Sequence, residues 1–202
     1  MKNDLLCILL IAELLNISLS TAETLVRSCP SSASMRGFFR RLSEGELDHP
    51  ALTKTGRLRI KALLHLQTLM AEQRLEVSQE GINWGELQRY VVDALDGRVR
   101  ETFIAVFLGP QRKFIASEIL FVGSADRAWV DHRVVLTRAL SHQALSIVVA
   151  HNHPSGSLIP SASDIETTRK LARCLKLVDI ALADHLIVAS GRCESLRNLG
   201  FV

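Results

Sequence analysis

The stretch ALSIVVAHNHPSGSLIPSASDIETTRKLARCLKLV, Ala144 to Val178, decides the fold. Ala144 to Ala150 is a short apolar run rich in β-branched residues and reads as a strand. Asp164 to Val178 repeats its apolar residues at helical spacing and reads as a helix. Between them His151 and His153 stand one residue apart, Pro154 and Gly156 break the chain, and Asp164 follows eleven residues after His153. A strand that passes through an elaborate loop into a helix belongs to a domain of mixed α/β class.

Outward from that stretch the same alternation continues. Downstream, Ile180 to Ser190 reads as a strand closed by a turn at Gly191. Upstream, Glu101 to Gly109 and Lys113 to Gly123 read as two strands joined by a turn at Pro110-Gln111, followed by a helix from Asp131 to Ser141. Trp84 to Leu95 has helical spacing and is expected to pack on this unit. The order strand, strand, helix, strand, helix, strand predicts a mixed sheet covered by helices, from about residue 80 to 202. The earlier part is helical throughout: Asp4 to Asn16, a helix capped at Thr21, Ser34 to Leu42, and Arg57 to Leu75 after a turn over Thr53 to Gly56. Thr21 has no capping-box partner, since Thr24 holds that position, but Glu23 lies in the first turn, where it suits the helix dipole. Ser78 to Asn83 reads as a linker, so the expected division is 1–78, helical, and 79–202, mixed α/β.

Composition sets the bounds. The chain has 202 residues, enough for one domain with a small satellite. It is 48% hydrophobic and 22% charged, which excludes a disordered chain. Aromatics make up only 5%, so aliphatic side chains must build the core. Residues 1–78 hold ten Lys and Arg against eight Asp and Glu, a balance that neither demands nor excludes nucleic acid. Cys7, Cys29, Cys174 and Cys193 form no CxxC pair, so neither a zinc knuckle nor a redox dithiol is indicated, and reduced thiols in the cytoplasm are expected. The apolar run Leu5 to Ala12 is bracketed by Asp4 and Glu13 and is too short to span a bilayer; it reads as a buried first helix, with no membrane partner.

The loop carries the chemistry. His151 and His153 alternate so that both can point one way from an extended chain. Two imidazoles and a carboxylate from Asp164 suit zinc, and three protein ligands leave a fourth position for water, as in catalytic sites. A blander reading stands beside this one. Histidines at a strand end often only meet water, and Ser161 and Asp164, three apart at a helix start, look like capping residues. The set taken whole favours the metal. Glu118 lies inside an apolar strand, where a carboxylate is costly without a partner, so it is the candidate general base; its competing role is to point to the solvent face or to pair with a nearby arginine. Neither HExxH nor PCxxC is present, which excludes the common helical zinc proteases and the zinc deaminases.

HNHPSG, followed by PSASDIETTRKL and ADHLIV with Glu118 upstream, resembles the JAMM motif of the JAB/MPN metalloprotease superfamily, and within it the bacterial RadC-like family, over roughly residues 85–202. The resemblance implies a mixed-sheet JAB/MPN-like metalloprotease domain preceded by a small all-helical region. It implies about one zinc per chain on His151, His153 and Asp164, with Glu118 as acid-base and Ser161 assisting an oxyanion. The implied activity is hydrolysis of peptide or isopeptide bonds in a peptide or protein partner. The alternative is a DNA-associated repair or recombination factor whose metal domain serves as a binding or structural module. Arg133, Asp184 and His185 match further family positions without an assigned role; from sequence, Asp184-His185 is either a pair orienting a ligand or a structural pair. The helical part resembles a helix-hairpin-helix region. Phosphate recognition by such a hairpin needs a glycine-rich turn, and TKTGRLRIKAL offers only Gly56, although Lys54, Arg57, Arg59 and Lys61 are close by. DNA contact is therefore expected to be weak. Met35 and Met70 are expected in the core, Trp84 and Trp129 in the core or along a groove, and His132 and His142 at the surface.

Overall fold

The computed structural model describes residues 2–29, 34–50, 52–77, 81–123 and 130–202. Met1, Trp129 and the first part of the expected linker lie outside the described residues. One sheet of five strands organises the second part of the chain: β1 (Thr102–Leu108), β2 (Phe114–Val122), β3 (Ser146–Asn152), β4 (Ala181–Ala189) and β5 (Arg192–Ser195). Their spatial order is β2-β1-β3-β4-β5. β1 is antiparallel to both β2 and β3, β3 is parallel to β4, and β5 returns antiparallel to β4. The parallel pair requires a crossover, and the helix predicted after the histidine loop supplies it.

Every residue of β1 is buried, because both faces of the sheet are covered. Ile104, Val106 and Leu108 meet α5 (Trp84–Leu95) and the end of α4 (Lys54–Val77). Phe103, Ala105 and Phe107 meet α6 (His132–Ser141) and α7 (Ala162–Lys176). Trp84 is partly buried against the first of these layers. β3 runs two residues past the predicted end, through His151 and Asn152. Asn152 fastens the end: its side-chain oxygen accepts the Thr102 N–H at 2.8 Å, and its amide donates to the Arg98 carbonyl at 2.9 Å. That extension puts His151 inside the sheet and not in the loop.

Helix starts also move from their predicted places, each because a hydroxyl further upstream caps the helix. The second helix, α2 (Leu19–Arg27), is capped by Ser18 and not by Thr21. In α4 the predicted turn over Thr53 to Gly56 is the first helical turn, with the Thr53 hydroxyl accepting the Gly56 N–H at 3.0 Å. In α7 the cap is Ser161. α1 (Lys2–Leu15), α2, α3 (Met35–Glu44) and the first half of α4 enclose a separate core of Ile11, Leu25, Phe38, Leu42 and Ile60, with Met35 packed against it. Met70, expected inside, is about half exposed on α4. α4 joins the two parts, since its last turns place Leu75 in the core beneath the sheet. Arg40, buried, donates to the Asp93 and Ala94 carbonyls at 2.6 and 2.8 Å and fastens α3 to the end of α5. Arg57 is held by Asp48 at 2.8 Å and Arg59 by the Leu14 carbonyl at 3.0 Å, so two of the four basic residues near Gly56 serve internal contacts. Among the described residues no single helix is long and apolar enough to cross a membrane.

Candidate metal centre

The end of β3, the start of β1 and the first turn of α7 meet at one end of the central strands. His151 stands opposite Phe103 on β1 and Ile187 on β4, buried, with its ring stacked near that of Phe103 at 6.5 Å. His153 follows the strand, its N–H donating to the Val188 carbonyl at 2.9 Å. The chain then turns back over itself: the Gly156 N–H reaches the His153 carbonyl at 3.0 Å, and Gly156 adopts φ +84°, a left-handed conformation that glycine takes without strain. α7 opens with a full capping box, the Ser161 hydroxyl accepting the Asp164 N–H at 3.1 Å and Asp164 Oδ2 accepting the Ser161 N–H at 2.7 Å. The capping role foreseen for Ser161 and Asp164 is therefore present, and it aims the rest of the Asp164 carboxylate at the histidines.

The resulting cluster is tight. His151 Nε2 lies 3.0 Å from His153 Nε2 and 3.2 Å from Asp164 Oδ1, and His153 Nε2 lies 3.3 Å from Asp164 Oδ2. A fourth residue, Glu101, brings Oε1 to 3.8 Å from His151 Nε2, and all four ligand atoms fall within 4.8 Å of one another. Burial alone pushes the Asp164 carboxyl up, but the His151 and His153 contacts outweigh it and hold the group well below the usual carboxylate range. His153 is raised, chiefly by Asp164. The donor set fits a metal ion. His153 Nδ1 sits 2.9 Å from the Ser157 carbonyl, which can only accept, so the proton of a neutral His153 is on Nδ1 and its Nε2 lone pair faces the carboxylates. Acceptors that converge in this way are satisfied by a shared cation, and two imidazoles with carboxylates are ligands for a borderline divalent ion.

Glu118 is not in this cluster, and the sequence-based assignment of it as the base is corrected on that geometry. It stands opposite Ala105 on β2, on the same face of the sheet as His151 but two strands away and two residues along, roughly 12 Å by strand spacing and rise. Its carboxylate forms a two-pronged pair with Arg138 and meets His142 Nε2 at 2.7 Å. The Arg138 hydrogen bonds, opposed by partial burial and joined by His142, hold Glu118 down to about 2. His142, expected at the surface, also stacks on Phe107 at 4.4 Å. Arg133 is exposed and pairs with Asp131 at the cap of α6. The sequence does not single out Glu101, because a polar residue opening a predicted strand is ordinary. The usable signal was antiparallel pairing of the first strand with the strand that ends in the histidines, which sets residue 101 beside residue 151.

Asp184 and His185 take separate paths. Asp184 turns to the chain after β4, accepting the Ser195 hydroxyl at 2.6 Å and the Arg197 N–H at 3.1 Å. His185, fully buried and held well below its ordinary pKa by that burial, reaches His151 Nδ1 at 2.8 Å.

A model of the RadC-like JAB domain matches residues 82–201. The chain belongs to the RadC-like JAB domain family. Relatives run the same way. A UPF0758 protein of Cupriavidus pinatubonensis is 38% identical over 141 residues, 70% of this chain and 62% of its own length. One from Vibrio parahaemolyticus is 33% identical over 169 residues, 84% of this chain and 75% of its own length. One from Cupriavidus taiwanensis is 50% identical over 96 residues, 48% of this chain and 42% of its own. The RadC-like JAB domain of this chain thus takes in α5, the whole sheet and all four residues of the cluster, while the core of α1 to α3 precedes it.

Proposed function

We propose that the chain is a zinc-dependent hydrolase that cleaves peptide or isopeptide bonds, with His151, His153 and Asp164 as ligands and Glu101 as acid-base. The observation that carries this reading is the composition of the cluster: two Nε2 atoms and a capped carboxylate converge, and a second, less constrained carboxylate stands beside them. A zinc held by His151, His153 and Asp164 would supply Lewis acidity and make a water acidic enough to lose its proton near neutral pH. Glu101 takes the proton of the attacking water and returns it to the leaving amine. Its side chain is about a third exposed, so substrate and solvent reach it. Ser161 accepts the Asp164 N–H and keeps its own hydroxyl proton, which it donates to the oxygen that gains charge on the scissile carbonyl. The helical part positions this domain through Arg36, Arg40 and α4, and contributes no DNA site in this reading, since Arg57 and Arg59 are spent on internal contacts. A cytoplasmic setting suits reduced thiols at Cys7, Cys174 and Cys193.

The test is hydrolysis of a peptide and isopeptide library by zinc-loaded protein. Wild type is expected to cleave, and E101Q to keep its zinc while losing at least roughly 10²-fold in rate. Equal rates for E101Q and wild type would remove Glu101 from its role. Zinc bound by wild type with no cleavage of any member would leave the domain a binding or structural module.

A further inference from the structure

We propose that His185 is a positioning residue that fixes which nitrogen of His151 faces the metal site, and that a one-residue register shift in β4 aims it there. The inference rests on the reading of His151 as a ligand. Four groups form a buried line: His151 Nδ1 to His185 Nε2 at 2.8 Å, His185 Nδ1 to Thr168 Oγ1 at 2.6 Å, and Thr168 Oγ1 to the Asp164 carbonyl at 2.6 Å. His151, His185 and Thr168 are all at least nine-tenths buried, so water does not complete these bonds.

The direction of the line follows from its last member. A carbonyl oxygen only accepts, so the single hydroxyl proton of Thr168 is given to the Asp164 carbonyl. Thr168 Oγ1 must then accept, and His185 donates to it from Nδ1. A neutral His185 is left with a lone pair on Nε2, which accepts from His151 Nδ1–H. The one proton of a neutral His151 is thereby held on Nδ1, and its Nε2 lone pair is presented to His153, Asp164 and Glu101. His153 reaches the same state by the shorter route of the Ser157 carbonyl. Both ligand imidazoles are delivered as Nε2 donors, and His185 is the device for the buried one. The line also starts at one ligand and ends on the backbone of another, so the strand half and the helix half of the site are set against each other.

The register shift explains how a strand residue comes to be there. Ile147 pairs with Leu182, but Val148 pairs with Asp184, so β4 carries one extra residue, Ala183. Because side chains alternate, a one-residue slip reverses the face of everything beyond it. Without the slip His185 would stand opposite Ala150, on the face toward α5; with it His185 stands opposite Val149, on the face of His151 and α7. The slip is clasped from the chain after β4. Arg197 Nη1 donates to the Ala183 carbonyl at 2.5 Å, and Asp184 accepts the N–H groups of His185 and Arg197 and the hydroxyl of Ser195. Asp184 makes the shift and His185 uses it.

The experiment uses the full chain with cobalt(II) as probe, read by its visible spectrum and by competition for affinity, together with long-range ¹⁵N correlation of the imidazoles in metal-free protein. Metal-free wild type is expected to carry its protons on Nδ1 of both His151 and His185. H185L is expected to bind cobalt about 10- to 100-fold more weakly, with an altered spectrum. H185Q, whose amide can both accept from His151 and donate to Thr168, is expected to bind close to wild type, which a merely space-filling role would not require. T168V is expected to weaken binding and release the tautomer of His151, and it keeps the test open where H185L fails to fold. A His151 proton on Nε2 in metal-free wild type, or H185L with wild-type affinity and spectrum, would overturn the proposal. If wild type binds no cobalt, the metal reading fails by itself, and the tautomers alone decide the hydrogen-bonded line.

Discussion

Two glutamates lie on the same face of the sheet and come to opposite ends. Glu101, just before β1, stands among two histidines and an aspartate at the ends of the central strands. Glu118, in the middle of β2, stands between Arg138 and His142 of α6 and its cap. Among the described residues the first faces two imidazoles and a carboxylate and pairs with no Lys or Arg; the second has its charge answered by Arg138 and His142. A carboxylate that already holds a guanidinium in two hydrogen bonds is a poor proton acceptor near neutral pH, since the bonds that stabilise its ionised form also lower its basicity. The difference between the two sites is one of partners and not of burial.

The largest effect is expected at Asp164. Asp164→Asn keeps an oxygen able to cap α7 but loses the carboxylate charge, so it separates ligation from capping. Zinc content after extensive dialysis is expected to fall from about one per chain to near none, with the melting behaviour of the metal-free protein little changed. Full zinc retention by that variant would reassign the ligand. Next in size is the contrast between the glutamates themselves. E118Q is expected to hydrolyse at a rate near wild type under conditions where E101Q has lost roughly 10²-fold or more. The reverse ranking would return the base to Glu118.

E118Q should register in stability instead. The folded-state pKa of Glu118 is held to about 2 against an ordinary 4.5. A depressed carboxyl contributes stability that is fully present above the unfolded value and is lost as the pH falls through the folded one. Arg138 is 42% exposed, so solvent screening reduces the contribution to about 1 kcal/mol. Thermal melts of E118Q should therefore lie a few degrees below wild type at pH 7, the gap closing between about pH 4.5 and 2. A gap that widens in acid would contradict the pairing.

The sequence held more of the site than of its surroundings. His151, His153 and Asp164 were legible because alternation along a strand and the start of a helix are local patterns. The order of strands and helices after residue 80 was legible for the same reason. Glu101 was not, since its place depends on an antiparallel pairing that joins Phe103 to His151, far apart in the chain. His185 was visible as a family position, but its use depends on a register shift that no composition or period announces. His142 and Glu118 chose each other through tertiary packing, and the cost of a strand carboxylate, which drew attention to Glu118, was met by ordinary cations. Helix starts at Ser18 and Thr53 fell before the predicted ones because hydroxyl caps act upstream of the apolar pattern.

The smallest effect concerns the helical part. Fluorescence anisotropy of the full chain with duplex DNA near 150 mM salt is expected to give a Kd in the non-specific range, roughly 10⁻⁴ to 10⁻⁶ M, with K54A and K61A changing it little. A submicromolar Kd lost in those variants would make that part a DNA-binding element and restore the repair-factor reading for it.

The proposed divalent ion belongs among His151, His153 and Asp164, beside Glu101. Crystals soaked in zinc and measured on both sides of the zinc absorption edge test it most directly. A single strong anomalous peak is expected about 2.0–2.2 Å from His151 Nε2, His153 Nε2 and an Asp164 oxygen. A peak between Glu118 and His142, or none at the end of β3, would contradict it.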